Sequence, residues 1–371
     1  MAKNNYRRAK TAYKKLKKAP VWAIVLAVIL LIVVVGGYYY YENYYKKEEP
    51  FTPPVGDISF HFMTLGNKNN GDSVYIKAGD NDILIDAGSN GTSVPYISDY
   101  IDNFVTDGKL EYVIVTHGDS DHIAGFAVAD NIFSRYDCET IIDFPLTNKA
   151  EKDTVKKYYA KRAEEVSAGA THYTALECYN NQNGAQRTYE LSESVSMEIL
   201  YNYYYDHTTT DENDYSVCVM FRHGSRKFLF TGDLEEKGEE YLANNYDFTQ
   251  VELFKAGHHG SKTSSTEILL REIEPKICVV SCCAGFNEYR ANEENIFPTY
   301  AFLSRIAKYT SNVYVTRLVD ESNANGYVDL NGDIVVTSDE TEVKVTCSES
   351  PILFKDTEWC KQNRSGITWK S

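Results

Sequence analysis

Thr116-His117-Gly118-Asp119-Ser120-Asp121-His122 crowds four ligand-type side chains, those of His117, Asp119, Asp121 and His122, into six residues. The stretch follows a short apolar run, 112–116, that reads as a strand. A strand delivers the residues just past its end to the rim of a sheet, where binding sites are built. Two aspartates this close repel unless a cation or a proton offsets them. Imidazole beside carboxylate suits Zn²⁺, Mn²⁺ or Fe. The plain alternative is an acidic surface turn with two incidental histidines.

Three further segments end strand-like runs with the chemistry such a site needs. Ile83-Leu84-Ile85-Asp86-Ala87-Gly88 places Asp86 after an apolar run, where a turn aspartate is equally plausible. Phe228-Leu229-Phe230-Thr231-Gly232-Asp233 places Asp233 behind a buried strand and a Thr-Gly bend. Lys255-Ala256-Gly257-His258-His259-Gly260-Ser261 sets two histidines among glycines that permit close approach of backbone to a ligand.

Short β runs and amphipathic stretches alternate after Gly56. Strands are expected at 58–63, 73–77, 82–86, 112–116, 195–201, 217–222, 228–231, 251–256 and 277–280, and near Val313, Tyr327, Ile334 and Val343. Helices are expected at 151–168, 234–244, 266–273 and 299–308. This order suggests an α/β fold of two sheets sandwiched between helical layers.

Ahead of this domain, every residue from Val21 to Val35 is apolar, and a run of tyrosines, Tyr38 to Tyr41, follows two glycines. The segment 21–41 reaches the ~20 residues that span a bilayer core and reads as a transmembrane helix. Eight Lys and Arg precede it with no acid, and Glu48 and Glu49 follow it. The positive-inside rule then places a basic tail, 1–20, in the cytoplasm and the rest outside, behind a polar linker at 42–56. A cleaved signal peptide is the rival reading, but no small-x-small site follows the apolar run. Removing the eight tail cations leaves 38 − 8 = 30 basic against 53 acidic residues, a charge of −23 on the remainder. A domain so acidic is a poor candidate for gripping long duplex DNA. Thirty tyrosines are unusual, but composition does not say whether they form a binding face.

None of the eight cysteines forms a C-x-x-C pair, so a zinc ribbon is not expected. Cys278, Cys282 and Cys283 lie in or beside an apolar strand and read as buried hydrophobes. Cys347 and Cys360 are the pair that an oxidising compartment could join.

These motifs, in this order, resemble the metallo-β-lactamase superfamily, and within it the extracytoplasmic hydrolase domain of ComEC/Rec2-type competence proteins. The resemblance rests on Phe60-His61-Phe62-Met63-Thr64-Leu65-Gly66 followed by Gly71-Asp72-Ser73, on Ile83 to Gly88, and on the H-x-D-x-D-H form at 117–122. It rests equally on Thr231-Gly232-Asp233, Gly257 to Ser261, and Val335-Val336-Thr337-Ser338-Asp339. The bacterial phosphorylcholine esterase domain shares the aspartate-bearing signature. What the resemblance implies is an αββα four-layer sandwich over 57–346, with a C-terminal extension at 347–371, holding two divalent metal ions at its edge, Zn first and Mn or Fe as alternatives. His117, Asp119, Asp121, His122, Asp233 and His258 would be metal ligands. Asp121, His258 and His259 would serve catalysis, with His258 or His259 completing a ligand set or contacting the substrate oxyanion, and Asp86 would support the site from behind. One departure stands out: a further histidine ligand of the family falls on Phe297 in Asn295-Ile296-Phe297-Pro298. His61, His172, His207 and His223 are not placed to replace it, and His223 reads as a solvated turn residue.

The leading expectation is therefore a membrane-anchored extracytoplasmic hydrolase of phosphoester or phosphodiester bonds, in the envelope or in extracellular nucleic acid. The alternative is a metal-binding surface protein that uses the fold for partner or envelope binding. β-Lactam hydrolysis has no particular support, because Asp119 replaces a histidine of the usual signature.

Overall fold

Alternation of side chains along a strand decides which layer each residue joins. In β9 (Cys218–His223), Val219 and Phe221 enter one hydrophobic core while Cys218 and Met220 enter another. The strands β10 (Arg226–Phe230) and β12 (Ile277–Ala284) split the same way: Phe228, Phe230 and Val279 go to the first core, and Leu229, Cys278, Val280 and Cys282 to the second. Strands apolar on both faces need cover on both, which a single sheet in water cannot supply. The result is two stacked sheets with helices on their outer faces, the four-layer αββα arrangement.

The computed structural model describes residues 20–40, 51–287 and 292–371. Most of the basic tail and most of the linker lie outside these residues. The chain divides into two units, residues 1–52 and 53–371. Within the first, the helix Val21–Tyr40 is the described element. Its segment Val21–Tyr39 has mean hydropathy 2.8 and is long and apolar enough to cross a membrane.

Within the second unit the first sheet runs β16-β15-β1-β2-β3-β4-β5-β6. Its strands are β1 (Ile58–Phe62), β2 (Val74–Ala78), β3 (Asn81–Ile85), β4 (Lys109–Val115), β5 (Asp137–Asp143), β6 (Thr171–Thr174), β15 (Ile334–Ser338) and β16 (Val343–Cys347). The second runs β14-β13-β12-β11-β10-β9-β8-β7, adding β7 (Thr188–Glu190), β8 (Val195–Leu200), β11 (Leu253–Lys255), β13 (Val313–Val319) and β14 (Tyr327–Asp329). Phe60, Phe62, Phe221, Phe228 and Phe230 fill the space between the sheets. The ring of Phe60 lies 4.7 Å from Phe228 and 5.5 Å from Phe221. Helices Val94–Ile101, Ser120–Ala127 and Asp153–Ala168 bury Ile97, Ile123 and Val155 in that first core. Helices Glu236–Asn245, Glu267–Ile273 and Tyr300–Ile306 bury Leu242, Leu270 and Phe302 in the second.

One expectation is corrected, and one pairing left open by the sequence is not made. His223 is buried rather than solvated: its Nδ1 lies 2.9 Å from Ser338 Oγ, because the β9–β10 turn packs on the end of β15. Cys347 and Cys360 are both free thiols. Cys347 packs against the first core from β16, and Cys360 sits in the second core on helix Glu358–Asn363. Cys278, Cys282 and Cys283 are fully buried, as their apolar surroundings require.

Candidate metal centre

The parallel strands β3 and β4 end side by side, so Asp86 and Thr116 emerge together. Asp86 adopts a left-handed backbone (φ 58°) that turns its carboxylate back under the next loop. There it accepts from the Thr116 amide at 2.8 Å and the Thr116 hydroxyl at 2.7 Å. It also lies 2.7 Å from His122 Nδ1. A carboxylate on one imidazole nitrogen sets the tautomer and presents the other nitrogen as a ligand. His122 Nε2 accordingly faces Asp233 Oδ2 at 3.2 Å.

The signature loop continues into helix Ser120–Ala127, which carries Asp121 and His122 in its first turn. Backbone bonds fasten this helix to the β3 end: Ala87 N–H donates to His122 O, and Gly125 N–H to Ala87 O. Gly125 is needed there, since a Cβ would stand 2.2 Å from the Ala87 carbonyl oxygen. His117 approaches from the strand side, its ring 4.2 Å from that of His122. Its Nε2 is buried without a hydrogen-bond partner and lies 3.6 Å from Asp119 Oδ2. Asp119 is drawn outward by an ion pair with Lys149.

The second sheet supplies the opposite wall. Past β10, Gly232 takes a left-handed turn (φ 53°) where a Cβ would collide with Ser216, and Asp233 follows. Past β11, His258 and His259 both hold left-handed conformations, φ 46° and 53°. Such strain in non-glycine residues is kept where function demands it. It turns the two neighbouring imidazoles apart. His259 goes inward: its Nδ1 donates to the Ser281 carbonyl at 3.0 Å, and its Nε2 lies 3.4 Å from both Asp121 Oδ2 and Asp233 Oδ2. His258 goes to the opening, with Nδ1 3.4 Å from Glu235 Oε1. Of the two histidines offered for the ligand set, His259 is the one that faces the buried carboxylates, and His258 faces the opening.

Ligand atoms of Asp72, His122, Asp233 and His259, all buried, lie within 4.8 Å of one another. Asp72 was not assigned a role from sequence, although Gly71-Asp72-Ser73 is part of the resemblance. It arrives from the 66–72 turn, and its backbone N–H donates to the Asp121 carbonyl at 3.2 Å. Two other buried residues bear on the site without a signal in the sequence pattern. Lys255, 2% exposed, ion-pairs with Asp72. Glu212, 3% exposed, accepts from Gly118 N at 3.0 Å, Thr147 Oγ1 at 2.6 Å and Asn148 N at 2.9 Å, locking the signature loop to its surroundings. Phe297 is buried in the second core, its ring 6.3 Å from that of His258.

The donor set fits a divalent cation. His117 Nε2, His259 Nε2, Asp72 Oδ1 and Asp233 Oδ1 are buried without hydrogen-bond partners, an expensive state unless something binds them. Protonation is distorted in the same sense. Burial, reinforced by His122, holds His117 down to about 4. For His259 burial opposes the charge, yet Asp233 and Asp72 outweigh it and push the imidazole up to about 10. His122 is raised well above its usual value, because Asp233 and Asp86 overcome burial. A crowd of carboxylates holds protons on two imidazoles where a metal would supply the charge. Outside lies an opening of about 400 Å³ lined by Asp119, Asp211, Glu212, Glu235, Lys149 and His258 among others.

The sequence profile of the metallo-beta-lactamase superfamily matches residues 66–134 and 206–284. These two segments contain every residue of the cluster. Recombination protein 2 of Haemophilus influenzae is 30% identical over 121 residues, 33% of this chain and 14% of that protein. ComE operon protein 3 of Bacillus subtilis is 26% identical over 179 residues, 48% of this chain and 20% of that protein. Competence protein ComA of Neisseria gonorrhoeae is 26% identical over 248 residues, 66% and 29% respectively. The chain thus spans less than a third of the length of these curated relatives. Among solved structures, the metallo-beta-lactamase fold protein YhfI from Bacillus subtilis aligns with a TM-score of 0.41 at 11% identity, over 69% of this chain and 95% of that one. The chain has the two-sheet metallo-β-lactamase fold, its two segments that match the superfamily profile converge on one site, and it is similar in part to the Rec2- and ComE-type competence proteins.

Proposed function

We propose that the chain is a membrane-anchored, extracytoplasmic metal-dependent hydrolase of phosphoesters, and specifically of phosphodiesters. The observation that carries this reading is the convergence of Asp72, His122, Asp233 and His259 from both sheets, with buried donor atoms facing one another. His117, Asp119 and Asp121 extend the donor set along the signature loop. A divalent cation held there, zinc first and manganese or iron as alternatives, would acidify water and draw charge from phosphoryl oxygens.

The chain's own groups supply the rest. Asp86 and the Ser281 carbonyl each engage the Nδ1 of a histidine, so that His122 and His259 present Nε2 inward. His258 stands at the opening with Glu235 beside it, a pairing suited to holding a proton near a leaving group. The opening is acidic, and the residues after the tail carry −23. That favours a small ester or a single strand end over extended duplex DNA. The apolar helix Val21–Tyr40, with cations before it, supports a single-pass anchor with a cytoplasmic N-terminus.

Hydrolysis of bis(p-nitrophenyl) phosphate by the detergent-solubilised chain, supplied with Zn²⁺ or Mn²⁺, tests the proposal. Activity abolished in Asp121→Ala supports it. Silence with every metal despite stoichiometric metal content favours the second reading, a metal-binding surface protein, for which burial of Phe297 at the position of an expected ligand speaks.

A further inference from the structure

Along β11, Leu253 enters the core between the sheets and Phe254 the core beneath the helices. Alternation sends Lys255 back between the sheets with Leu253. A lysine is seldom buried there unless paired, and Lys255 is 2% exposed. Its ammonium touches Asp72 Oδ2 and lies 3.6 Å from Asp233 Oδ1. Both carboxylates belong to the candidate metal cluster.

We propose that Lys255 is a built-in cation of this centre, standing in charge for a second metal, so that the chain holds one divalent ion tightly and not two. The inference rests on reading the cluster as a metal site. The charges close. Asp72, Asp121 and Asp233 bring three negative charges to the interior of the cluster, while Asp86 is engaged with Thr116 and His122. One divalent ion and the Lys255 ammonium bring three positive charges. A second divalent ion would set two more positive charges beside the buried Lys255 ammonium, which is costly unless Asp119 leaves Lys149 to join it. Two independent features agree. Phe297, where a further histidine ligand is expected, offers only a phenyl ring packed in the second core. At the opposite end, Lys149 already engages Asp119, a carboxylate that a second ion would need.

Ion content decides the matter. The full chain in detergent micelles is stripped with a chelator, reloaded with Mn²⁺ or Zn²⁺, and measured by elemental analysis and calorimetric titration. The wild type is expected to hold one ion per chain, and Lys255→Arg one. Lys255→Met, which frees two carboxylates, is expected to hold two. Should that variant fail to fold, Lys255→Met combined with Asp72→Asn removes both charges and is expected to fold with one ion. Two ions of comparable affinity in the wild type, a folded Lys255→Met that still holds one, or a double variant that holds two overturns the inference while leaving the metal site intact. A wild type that binds no ion overturns both.

Discussion

At the scale of single residues, the centre depends on groups that never touch the metal position. Asp86 is the clearest, since its carboxylate fixes both the Thr116 turn and the His122 ring. Asp86→Asn keeps the size but weakens the pull on the His122 Nδ1 proton. Supporting residues of this kind cost about 10–100-fold in metal affinity when changed, and calorimetric titration should show a loss of that order. Unchanged affinity would assign the orientation of His122 to Thr116 alone. Away from the site, His61 is fully buried between Tyr100 and Ser59, and burial holds it down to about 3 from its ordinary 6.5. A depressed histidine stays neutral in the folded chain while the unfolded chain takes up a proton, so stability is lost as pH falls below 6.5. Relative to His61→Gln, the wild type should lose about 1.4 kcal/mol between about pH 8 and pH 5.5, read from chemical unfolding at those two pH values. A difference independent of pH would show that the native fold accommodates the charged ring.

At the scale of elements, what was legible in the sequence depended on range. Asp86, the 117–122 loop and Asp233 each end a strand whose apolar run is local, so neighbouring residues announce them. Asp72 follows no such run; only the docking of the 66–72 turn on helix Ser120–Ala127 brings it to the site. Lys255 was hidden because the polar residue of an alternating pattern reads as solvent-facing until a second sheet covers it. The choice between His258 and His259 turns on two successive left-handed residues, which no pattern of residue types specifies. Helix Ser120–Ala127 itself was not expected, although its first turn supplies two of the predicted ligands. Its seat can be tested. Gly125→Ala places a methyl 2.2 Å from the Ala87 carbonyl, and backbone cannot yield cheaply. Overpacking of this kind costs about 1–3 kcal/mol. Because the displaced helix carries Asp121 and His122, metal affinity should fall with stability. A variant that loses stability but binds metal as the wild type does would show that the helix shifts as a rigid body with its ligands in register.

At the scale of the whole molecule, the candidate centre lies where the two sheets meet. Asp72 and His122 come from the first sheet's loops, and Asp233 and His259 from the second's. The backbone bond from Val217 N–H to Thr116 O joins the same two walls at 2.9 Å. A cation shared across that seam binds the folded state and not the unfolded chain, so loading it should stabilise the whole domain. At a free ion concentration of ~100 times Kd, the gain is about 2.7 kcal/mol, which corresponds to a rise of roughly 4 °C in Tm for a domain of this size. Scanning the chelated and the reloaded protein measures it. His258→Ala should retain the full metal-dependent rise, because His258 stands at the opening with Glu235 and outside the buried cluster. His259→Ala should lose most of it, because His259 Nε2 faces Asp121 and Asp233 at once. The opposite pattern would mean that the two histidines exchange places when metal binds, with His258 turning inward from the opening.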